Sequence, residues 1–152
     1  MNAGDAEYRP IRPGIENVDE MLKIEKKAFA SHWNKQTFLD ELSAENGHYI
    51  AFMLSDKMIG YSGFRHVLDE AHITTLAVDR KQRKKGVGTK LIARLLNDAK
   101  GLGLKKLFLE VRQSNIPAQK IYKKLGFKVI DRRREYYQHP VEDALVMQNE
   151  DL

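Results

Sequence analysis

The chain contains no cysteine, which excludes disulfides, thiolate-bound metals and any covalent cysteine intermediate. No apolar run approaches the roughly 20 residues of a membrane-spanning helix, and the N-terminus lacks the basic and then apolar pattern of a signal peptide. No cluster of histidines or acidic residues has the spacing of metal ligands, as in the motif H-E-x-x-H, so we expect no metal. These absences predict a cytoplasmic protein without a membrane segment.

The composition is otherwise that of one globular domain. The 152 residues are 42% hydrophobic and 31% charged, which supplies one ordinary core and argues against disorder. No repeat, low-complexity tract or linker divides the chain. We therefore predict a flexible N-terminus over residues 1–7 and a single domain over residues 8–152.

Positive charge is concentrated in the second half of the chain. Residues 80–134 hold 18 Lys and Arg but only three acidic residues, although the whole chain has a net charge of only +5. Solvated helix faces account for part of this excess, but five of the six residues in 80–85 are basic and a glycine follows them. Such a cluster repels itself, so it predicts an anionic partner for this segment.

Apolar periodicity and turn residues predict seven strands and four helices in the order β-α-α-β-β-β-α-β-α-β-β. Asn17, with Glu20 three residues later, predicts a capping box at the start of the first helix. The helix between strands 71–78 and 107–112 implies one parallel pair in an otherwise antiparallel sheet. The predicted strands cover residues 8–12, 49–54, 58–66, 71–78, 107–112, 127 onward to 137, and 144–148. The first two helices begin after Asn17 and Asn34, and the other two cover residues 87–102 and 117–125.

The predicted strand 71–78 leads through a basic, glycine-containing loop into the helix that begins at residue 87. A helix N-terminus presents unpaired N–H groups and the positive end of the helix dipole, and glycines let a ligand approach the backbone. The loop therefore predicts a pyrophosphate cradle, although it matches neither the P-loop spacing nor the dinucleotide motif. Its residues are Arg83, Lys84, Lys85, Gly86, Val87, Gly88 and Thr89.

These motifs resemble the GNAT N-acetyltransferases, and the resemblance extends from about residue 8 to residue 147. The basic loop, Arg83-x-x-Gly86-x-Gly88 after a strand, resembles the acetyl-coenzyme A motif of that family. The segments LEVRQSN (109–115) and IYKKLGF (121–127) resemble the RimI-type enzymes, which acetylate protein N-termini. The segments HITTLAV (72–78) and RREYY (133–137) resemble the archaeal and eukaryotic N-terminal acetyltransferases of the same branch.

The resemblance implies an α/β (α+β) GNAT fold: a mixed, mostly antiparallel seven-stranded sheet, splayed between strands 4 and 5, with about four helices. It implies that acetyl-CoA lies in the splay, with the pyrophosphate on the basic loop and pantetheine on the backbone of Leu76, Ala77 and Val78. The Val78 N–H is then a candidate donor to the thioester oxygen. Asn115 is a helix cap, a ligand of the pantetheine arm, or both.

Acetyl transfer from a thioester to an amine needs a base for the amine and an acid for the leaving thiolate. The resemblance places the base at Glu110. Partial burial within a strand is expected to raise the pKa of this carboxyl group. His72, on the neighbouring strand, is a second candidate that would order the deprotonating water. Tyr122 is placed as the acid that protonates the CoA sulfur and as part of the cosubstrate site. Without a cysteine, direct attack in a ternary complex is the natural route.

The resemblance places the acceptor peptide between the loop after the first helix and the end of the arginine-rich strand. Phe29, His32 and Trp33 then form one wall, and Tyr136 and Tyr137 form the other. In the segment ASHW (30–33) the chain lacks the proline that the bacterial RimI-type enzymes carry before the tryptophan.

The predicted function is acetylation of protein N-termini, with a ribosomal protein as a natural substrate. One alternative is a lysine or small-molecule amine acetyltransferase on the same scaffold. Another, of a different class, is a basic RNA- or ribosome-binding module. Nucleic-acid binders usually spread basic and aromatic residues along one face, whereas this basic run is concentrated at one helix N-terminus, so we do not expect nucleic acid. An edge strand near the C-terminus leaves monomer and homodimer both open.

Overall fold

The computed structural model describes residues 8–29 and 32–152. Residues 1–7, for which we predicted a flexible N-terminus, and Ala30 and Ser31 lie outside the described residues. Across the rest, the predicted order of strands and helices is confirmed. The strands are β1 (Tyr8–Ile11), β2 (Gly47–Leu54), β3 (Lys57–Val67), β4 (Glu70–Val78), β5 (Lys106–Arg112), β6 (Lys128–Gln138) and β7 (Val141–Asn149), and the α-helices are α1 (Val18–Ala28), α2 (Lys35–Ser43), α3 (Val87–Gly101) and α4 (Ile116–Lys124).

The seven strands form one mixed sheet in the order β1-β2-β3-β4-β5-β7-β6. β4 and β5 are parallel, as the intervening α3 requires, and the other neighbours are antiparallel. The parallel ladder is short, because Glu70–His72 pair with Lys106–Phe108 and the two strands then diverge. The predicted splay between strands 4 and 5 is therefore confirmed.

Helices cover both faces of the sheet. α3 and α4 pack on one face, where Leu91, Leu95 and Tyr122 belong to the larger apolar core. α1 and α2 pack on the opposite face, where Met21 and Phe38 belong to a second apolar core. The splay is thus the place where a molecule can contact the sheet between these two helical layers.

β4 carries a bulge next to the splay. Gly63 of β3 lies opposite Thr75 and Phe64 lies opposite Ile73, so Thr74 is an extra residue without a partner of its own. The extra residue shifts the alternation of the strand: Ile73 belongs to the larger core before the bulge, and Leu76 packs against it after the bulge. The Thr74 hydroxyl lies 2.7 Å from the Tyr49 hydroxyl of β2, which fixes the bulge to the sheet.

One capping prediction is wrong. Asn17 does precede α1, but its side chain accepts a hydrogen bond from the Gly14 N–H (2.8 Å) and so closes the short 3₁₀ helix Ile15–Asn17. Glu20, predicted to complete the capping box, instead accepts from the Met58 N–H at the start of β3 (2.6 Å). Tertiary contacts therefore take the groups that a free helix would use for its own cap. α2 does begin after Asn34, whose side chain caps the helix by accepting a hydrogen bond from the Thr37 N–H.

Candidate active site

The divergence of β4 and β5 opens a cavity of about 460 Å³. Its walls come from both edges of the splay, the end of α1 and the segment after it, α4, and the turn between β6 and β7. Most of the side chains predicted for catalysis and substrate binding meet here. The lining residues are Glu25, Ala28, Phe29, Trp33, Ile73–Leu76, Leu109–Arg112, Asn115, Ala118, Tyr122, Tyr137, His139 and Pro140.

Glu110 is the centre of a hydrogen-bonded cluster on the acceptor side of the cavity. Its Oε1 lies 2.8 Å from His72 Nε2 and accepts a hydrogen bond from the Tyr136 hydroxyl at 3.2 Å. The His72 ring stacks on Phe108, with centroids 4.7 Å apart and an interplanar angle of 9°. The register explains the contact, since His72 of β4 lies directly opposite Phe108 of β5. Glu110 and His72, the two candidates for the base, are therefore in direct hydrogen-bond contact.

The expected rise in the pKa of Glu110 is wrong in direction. Burial alone would raise this pKa, because only 10% of the side chain is exposed. The hydrogen bond and charge of His72, the hydrogen bond from Tyr136 and the charge of Arg133 outweigh burial and hold the pKa below its ordinary value. The carboxylate is therefore ionised throughout the neutral range and is a weaker base than the sequence suggested.

Tyr122 enters the same cavity from the α4 side. Its ring packs edge-on against Phe127, with centroids 5.6 Å apart, and only 6% of the residue is exposed. Among residues 8–29 and 32–152, the Tyr122 hydroxyl has no hydrogen-bond partner. In the same residues, every side-chain oxygen or nitrogen that is fully buried has such a partner, so the Tyr122 hydroxyl is not fully buried. The hydroxyl must therefore face the open cavity. Burial, and then the proximity of Tyr137, raise the pKa of Tyr122, so the phenol is protonated at neutral pH.

Glu110 and Tyr122 approach the cavity from opposite faces of the sheet. Along β5, Leu109 and Val111 point into the larger core together with Tyr122, whereas Glu110 alternates to the other face. A proton acceptor and a proton donor thus stand on either side of the splay. A group bound between the strands could lose a proton on one side and gain one on the other.

The basic loop has the geometry of an anion cradle. Gly86 is the N-cap of α3 in the left-handed conformation (φ +83°), and a Cβ at this position would meet no heavy atom within 4 Å. Arg83, Lys84 and Lys85 are exposed beside it, and Val87 and Gly88 are buried in the first turn of α3. Thr89 is half-buried in that turn. The loop thus leaves open space and cationic side chains at a helix N-terminus, which suits a phosphate group.

The residues predicted for pantetheine lie close to this loop. Leu76 lines the cavity, Val78 is half-buried, and the Ala77 side chain points away into the second core. Asn115 also lines the cavity, and its Oδ1 accepts from the Ala118 N–H at 3.2 Å, so it caps α4. The cap is one of the two roles expected for Asn115; the other stays a prediction.

The predicted acceptor residues do not all reach the cavity. The cavity is lined by Phe29, Trp33 and Tyr137. Tyr136 does not line it, but its hydroxyl donates a hydrogen bond to Glu110, which does. His32 is exposed and is not among the lining side chains; its Nδ1 lies 3.2 Å from the carbonyl oxygen of Trp33. A role for His32 as part of the wall is therefore not supported by its position.

The lining residues that the sequence did not predict include Glu25, Arg112 and Thr74. Glu25 is a buried carboxylate at the end of α1. Arg112 lies with its guanidinium 4.3 Å from the Tyr137 ring centroid, and it donates to the carbonyls of Pro140 and His139, so it holds the β6–β7 turn against the cavity. Thr74 is the bulge residue. Glu25 could have been predicted only from its place between the apolar residues of an amphipathic helix. No feature of the nearby sequence predicts the bulge at Thr74.

No group of three His, Asp or Glu side chains among the described residues is placed to hold a metal ion, and the absence of a metal stays a prediction. Crossing a bilayer demands both length and apolar character, and no helix in the described ranges combines them.

The comparisons with known proteins agree with this geometry. The Acetyltransferase (GNAT) family model matches residues 18–127. The ribosomal protein bS18-alanine N-acetyltransferase of Escherichia coli K12 is 36% identical over 128 residues, 82% of this chain and 84% of that protein. The enzyme of the same name from Haemophilus ducreyi is 34% identical over 135 residues, 87% of this chain and 92% of that protein. The crystal structure of the Escherichia coli enzyme superposes with a TM-score of 0.89 at 29% identity and covers 95% of both chains.

The matched segment includes β4, the basic loop, α3, β5 and α4, which carry all the motifs of the predicted resemblance except the segment 133–137. The fold and the prediction of an acyltransferase are confirmed, and the named relatives support acetyl transfer to the α-amino group of protein N-termini. The chain belongs to the GNAT family of acetyltransferases.

Proposed function

We propose that this chain transfers the acetyl group of acetyl-CoA directly to the α-amino group of protein N-termini. The observation that carries the proposal is the placement of Glu110 and Tyr122 on opposite sides of one cavity. Acetyl transfer to an amine removes a proton from the nucleophile and delivers one to the leaving thiolate. The two residues stand where one transfer would need them.

Glu110 is the proposed proton acceptor. Among the described residues, hydrogen bonds reach only its Oε1, so Oε2 can take the proton of the amine or of a water next to His72. Because its pKa is lowered, this carboxylate is a weak base. An α-amine, with a pKa of about 7.7–8.0, yields its proton to a weak base much more readily than a lysine amine of pKa about 10.4. The electrostatics of the cluster therefore favour an α-amine as the acceptor.

Tyr122 is the proposed proton donor. Its raised pKa keeps the phenol protonated at neutral pH, so the hydroxyl remains available as a donor throughout the transfer. The leaving thiolate accepts a hydrogen bond and then the proton from this hydroxyl, which prevents the reverse attack, and solvent returns a proton to the phenolate. Tyr137, which adds to the high pKa of Tyr122, also forms the opposite wall of the cavity.

The residues of the basic loop suit the cosubstrate. When bound, acetyl-CoA supplies the activated acetyl thioester. Gly86 leaves open space at the N-terminus of α3, and the exposed side chains of Arg83, Lys84 and Lys85 supply positive charge for its phosphates. Leu76–Val78 and Asn115 would hold the pantetheine arm between this loop and the catalytic cluster.

We expect Gly86→Asp to weaken acetyl-CoA binding roughly 100-fold in calorimetry, since an added carboxylate would occupy the N–H groups of α3 and repel the pyrophosphate. A side chain at this left-handed position is strained by about 1–2 kcal/mol. The fold should nevertheless persist, because aspartate tolerates this conformation better than most residues, no atom lies in its way, and an acid at a helix start is compatible with the dipole. Gly103→Asp is the matched control, since Gly103 has nearly the same backbone conformation (φ +80°) and equally open space at the far end of α3. Equal affinities of the two variants would contradict the proposed loop.

The acceptor groove that we propose is the part of the cavity lined by Phe29, Trp33 and Tyr137. Its aromatic walls suit an extended peptide end rather than a charged side chain alone. The relatives named above act on the N-terminal alanine of ribosomal protein bS18. We infer that this chain accepts protein N-termini of the same class, and a ribosomal protein is its first candidate substrate.

A peptide panel tests the acceptor. We expect a peptide with a free N-terminal alanine and an internal lysine to be acetylated on the α-amine at pH 7.5. The same peptide with a blocked N-terminus is the control and should remain unmodified. Mass spectrometry locates the acetyl group. Modification of the internal lysine alone, with the α-amine left free, would refute the proposal.

Three expectations remain proposals. The exposed edge strand β6 is compatible with a homodimer as well as with a monomer. The cytoplasmic location follows from the class of substrate. The concentration of basic residues at the N-terminus of α3 favours a nucleotide cosubstrate over RNA as the anionic partner.

A further inference from the structure

Glu25 is a buried carboxylate in the wall of the catalytic cavity, and the proposed chemistry does not use it. It lies in the last turns of α1 and is 3% exposed. Its Oε1 accepts a hydrogen bond from the Tyr61 hydroxyl, and its Oε2 accepts one from the Trp33 N–H at 3.1 Å. Both partners are neutral groups.

Such a position is costly for a carboxylate. Burial raises the pKa of Glu25, and the hydrogen bonds from Tyr61 and Trp33 counteract that rise only in part. An apolar side chain would fill the same space without this penalty. The hydrogen bonds that the two oxygens accept from Tyr61 and Trp33 therefore explain why an acid stands here.

The two hydrogen bonds connect the sheet to the acceptor wall. Tyr61 is a fully buried residue of β3, and its ring packs edge-on against Phe38 of α2, with centroids 5.7 Å apart. Phe38 in turn packs against the Trp33 ring, with centroids 5.2 Å apart. Trp33 is thus held through its backbone by Glu25 and through its ring by Phe38. The Glu25 carboxylate thus supplies the hydrogen bond to Trp33, and Phe38 supplies the aromatic contact.

We propose that Glu25 is a positioning residue for the acceptor: it fixes Trp33 against Tyr61 and so sets the width of the acceptor groove. The inference rests on the proposed function for the identity of the acceptor. It concerns only the wall on the α1 side, because the basic loop leads into α3 and Asn115 caps α4, and these two helices pack on the opposite face of the sheet. Loss of Glu25 should therefore affect the acceptor and leave the cosubstrate unaffected.

Steady-state kinetics test this separation. We expect Glu25→Ala to raise the KM for the acceptor peptide about tenfold, because Trp33 is then no longer held in place before the peptide binds, with the KM for acetyl-CoA unchanged. Glu25→Gln should recover most of the affinity, since its amide oxygen can accept from the Trp33 N–H and its amide nitrogen can donate to the Tyr61 oxygen. Tyr61→Phe should raise the peptide KM less than Glu25→Ala, because the bond to Trp33 remains.

Fluorescence provides a readout that does not depend on the acceptor. Trp33 is the only tryptophan of the chain, so the emission spectrum reports its surroundings alone. We expect red-shifted emission and stronger acrylamide quenching in Glu25→Ala, and near wild-type values in Glu25→Gln. Asp98→Asn is the control: it breaks the partly buried His48–Asp98 pair (2.8 Å) between β2 and α3, away from the cavity, and should change neither fluorescence nor peptide KM.

The outcomes separate this inference from the proposed function. If the wild-type chain acetylated only lysines, the α-amine proposal would fail, and the fluorescence and the KM for that acceptor would still test Glu25. Unchanged Trp33 quenching and unchanged acceptor KM in Glu25→Ala would overturn the inference. Equal increases in both KM values would overturn it as well, since they indicate general damage. If Glu25→Ala does not fold, Tyr61→Phe compared with Glu25→Gln decides by the same readouts.

Discussion

Replacing Glu110 with glutamine is expected to lower kcat by about 10²–10⁴-fold, the range typical of a lost acid–base group. Glutamine keeps the size of the side chain, and its amide can still face His72 and Tyr136, but it cannot accept a proton. Acetyl-CoA affinity should hardly change, because Glu110 lies on the face of the sheet away from Tyr122 and α4. Initial rates at saturating cosubstrate, together with calorimetry, separate the two effects.

The rate of the Glu110→Gln variant should approach that of the wild type as the pH rises. Because the pKa of Glu110 is lowered from 4.5, its own titration lies below the neutral range. The rise of the wild-type rate between about pH 6 and 8 should therefore follow the acceptor amine, whose pKa is about 7.7–8.0. In Glu110→Gln the rate should recover partly above that pKa, where the amine is already neutral. A deficit that stays constant to pH 10 would contradict a role as base.

His72 provides the internal control for this assignment. If it shares the proton through a water, the variant Glu110→Gln combined with His72→Ala should lose more activity than Glu110→Gln alone. Because the two side chains are 2.8 Å apart, we also expect the loss in the double variant to differ from the sum of the two single losses. If the single and double variants lose equally, His72 only orients Glu110.

The second large effect is expected for Tyr122→Phe. The substitution keeps the ring that packs against Phe127 and removes only the hydroxyl that faces the cavity. We expect kcat to fall by about 10²-fold or more, since the thiolate then leaves without a proton donor. High pH should not restore the rate, because deprotonation of the amine does not replace protonation of the sulfur. pH–rate profiles of this variant and of Glu110→Gln should therefore diverge above pH 8.

Thermal unfolding serves as the control for Tyr122→Phe, since loss of a hydroxyl without a partner among the described residues should leave stability almost unchanged. Near-normal kcat across neutral pH in both variants would return Glu110 and Tyr122 to structural roles. A high-pH recovery of Tyr122→Phe that equals that of Glu110→Gln would show that the two residues do not act at opposite ends of the transfer.

The elements of the fold were predictable because each depends on local periodicity. The two-residue alternation of β5 and the apolar face of α3 follow from the sequence alone, and the crossover between them implied the parallel pair. The capping box at Asn17 and Glu20 failed because both side chains found partners outside α1, at Gly14 and Met58. A hydrogen bond across 38 residues of sequence leaves no local signal.

The candidate site was predictable in its residues and not in its electrostatics. The motif placed Glu110, but the direction of its pKa depends on three groups from two other strands, His72 of β4 and Tyr136 and Arg133 of β6. Tyr136 reaches Glu110 because β6 contains a second irregularity: Arg133 pairs with Ala144 and Tyr137 with Glu142, so extra residues of β6 bulge over β7. The left-handed Glu135 (φ +50°) lies in this bulge. Irregularities of this kind have no period and cannot be read from the sequence.

The short parallel ladder between β4 and β5 gives the sheet an edge in its interior. Beyond His72, β4 has no strand on its β5 side within the described chain, so its peptide groups there resemble those of an exposed edge strand. Edge strands invite pairing with other chains, but helices on both faces allow only a slender molecule to enter this one. A pantetheine arm, with two amides spaced along a flexible chain, would act as a substitute strand. Recognition of the cosubstrate is then a form of β-augmentation from within the sheet.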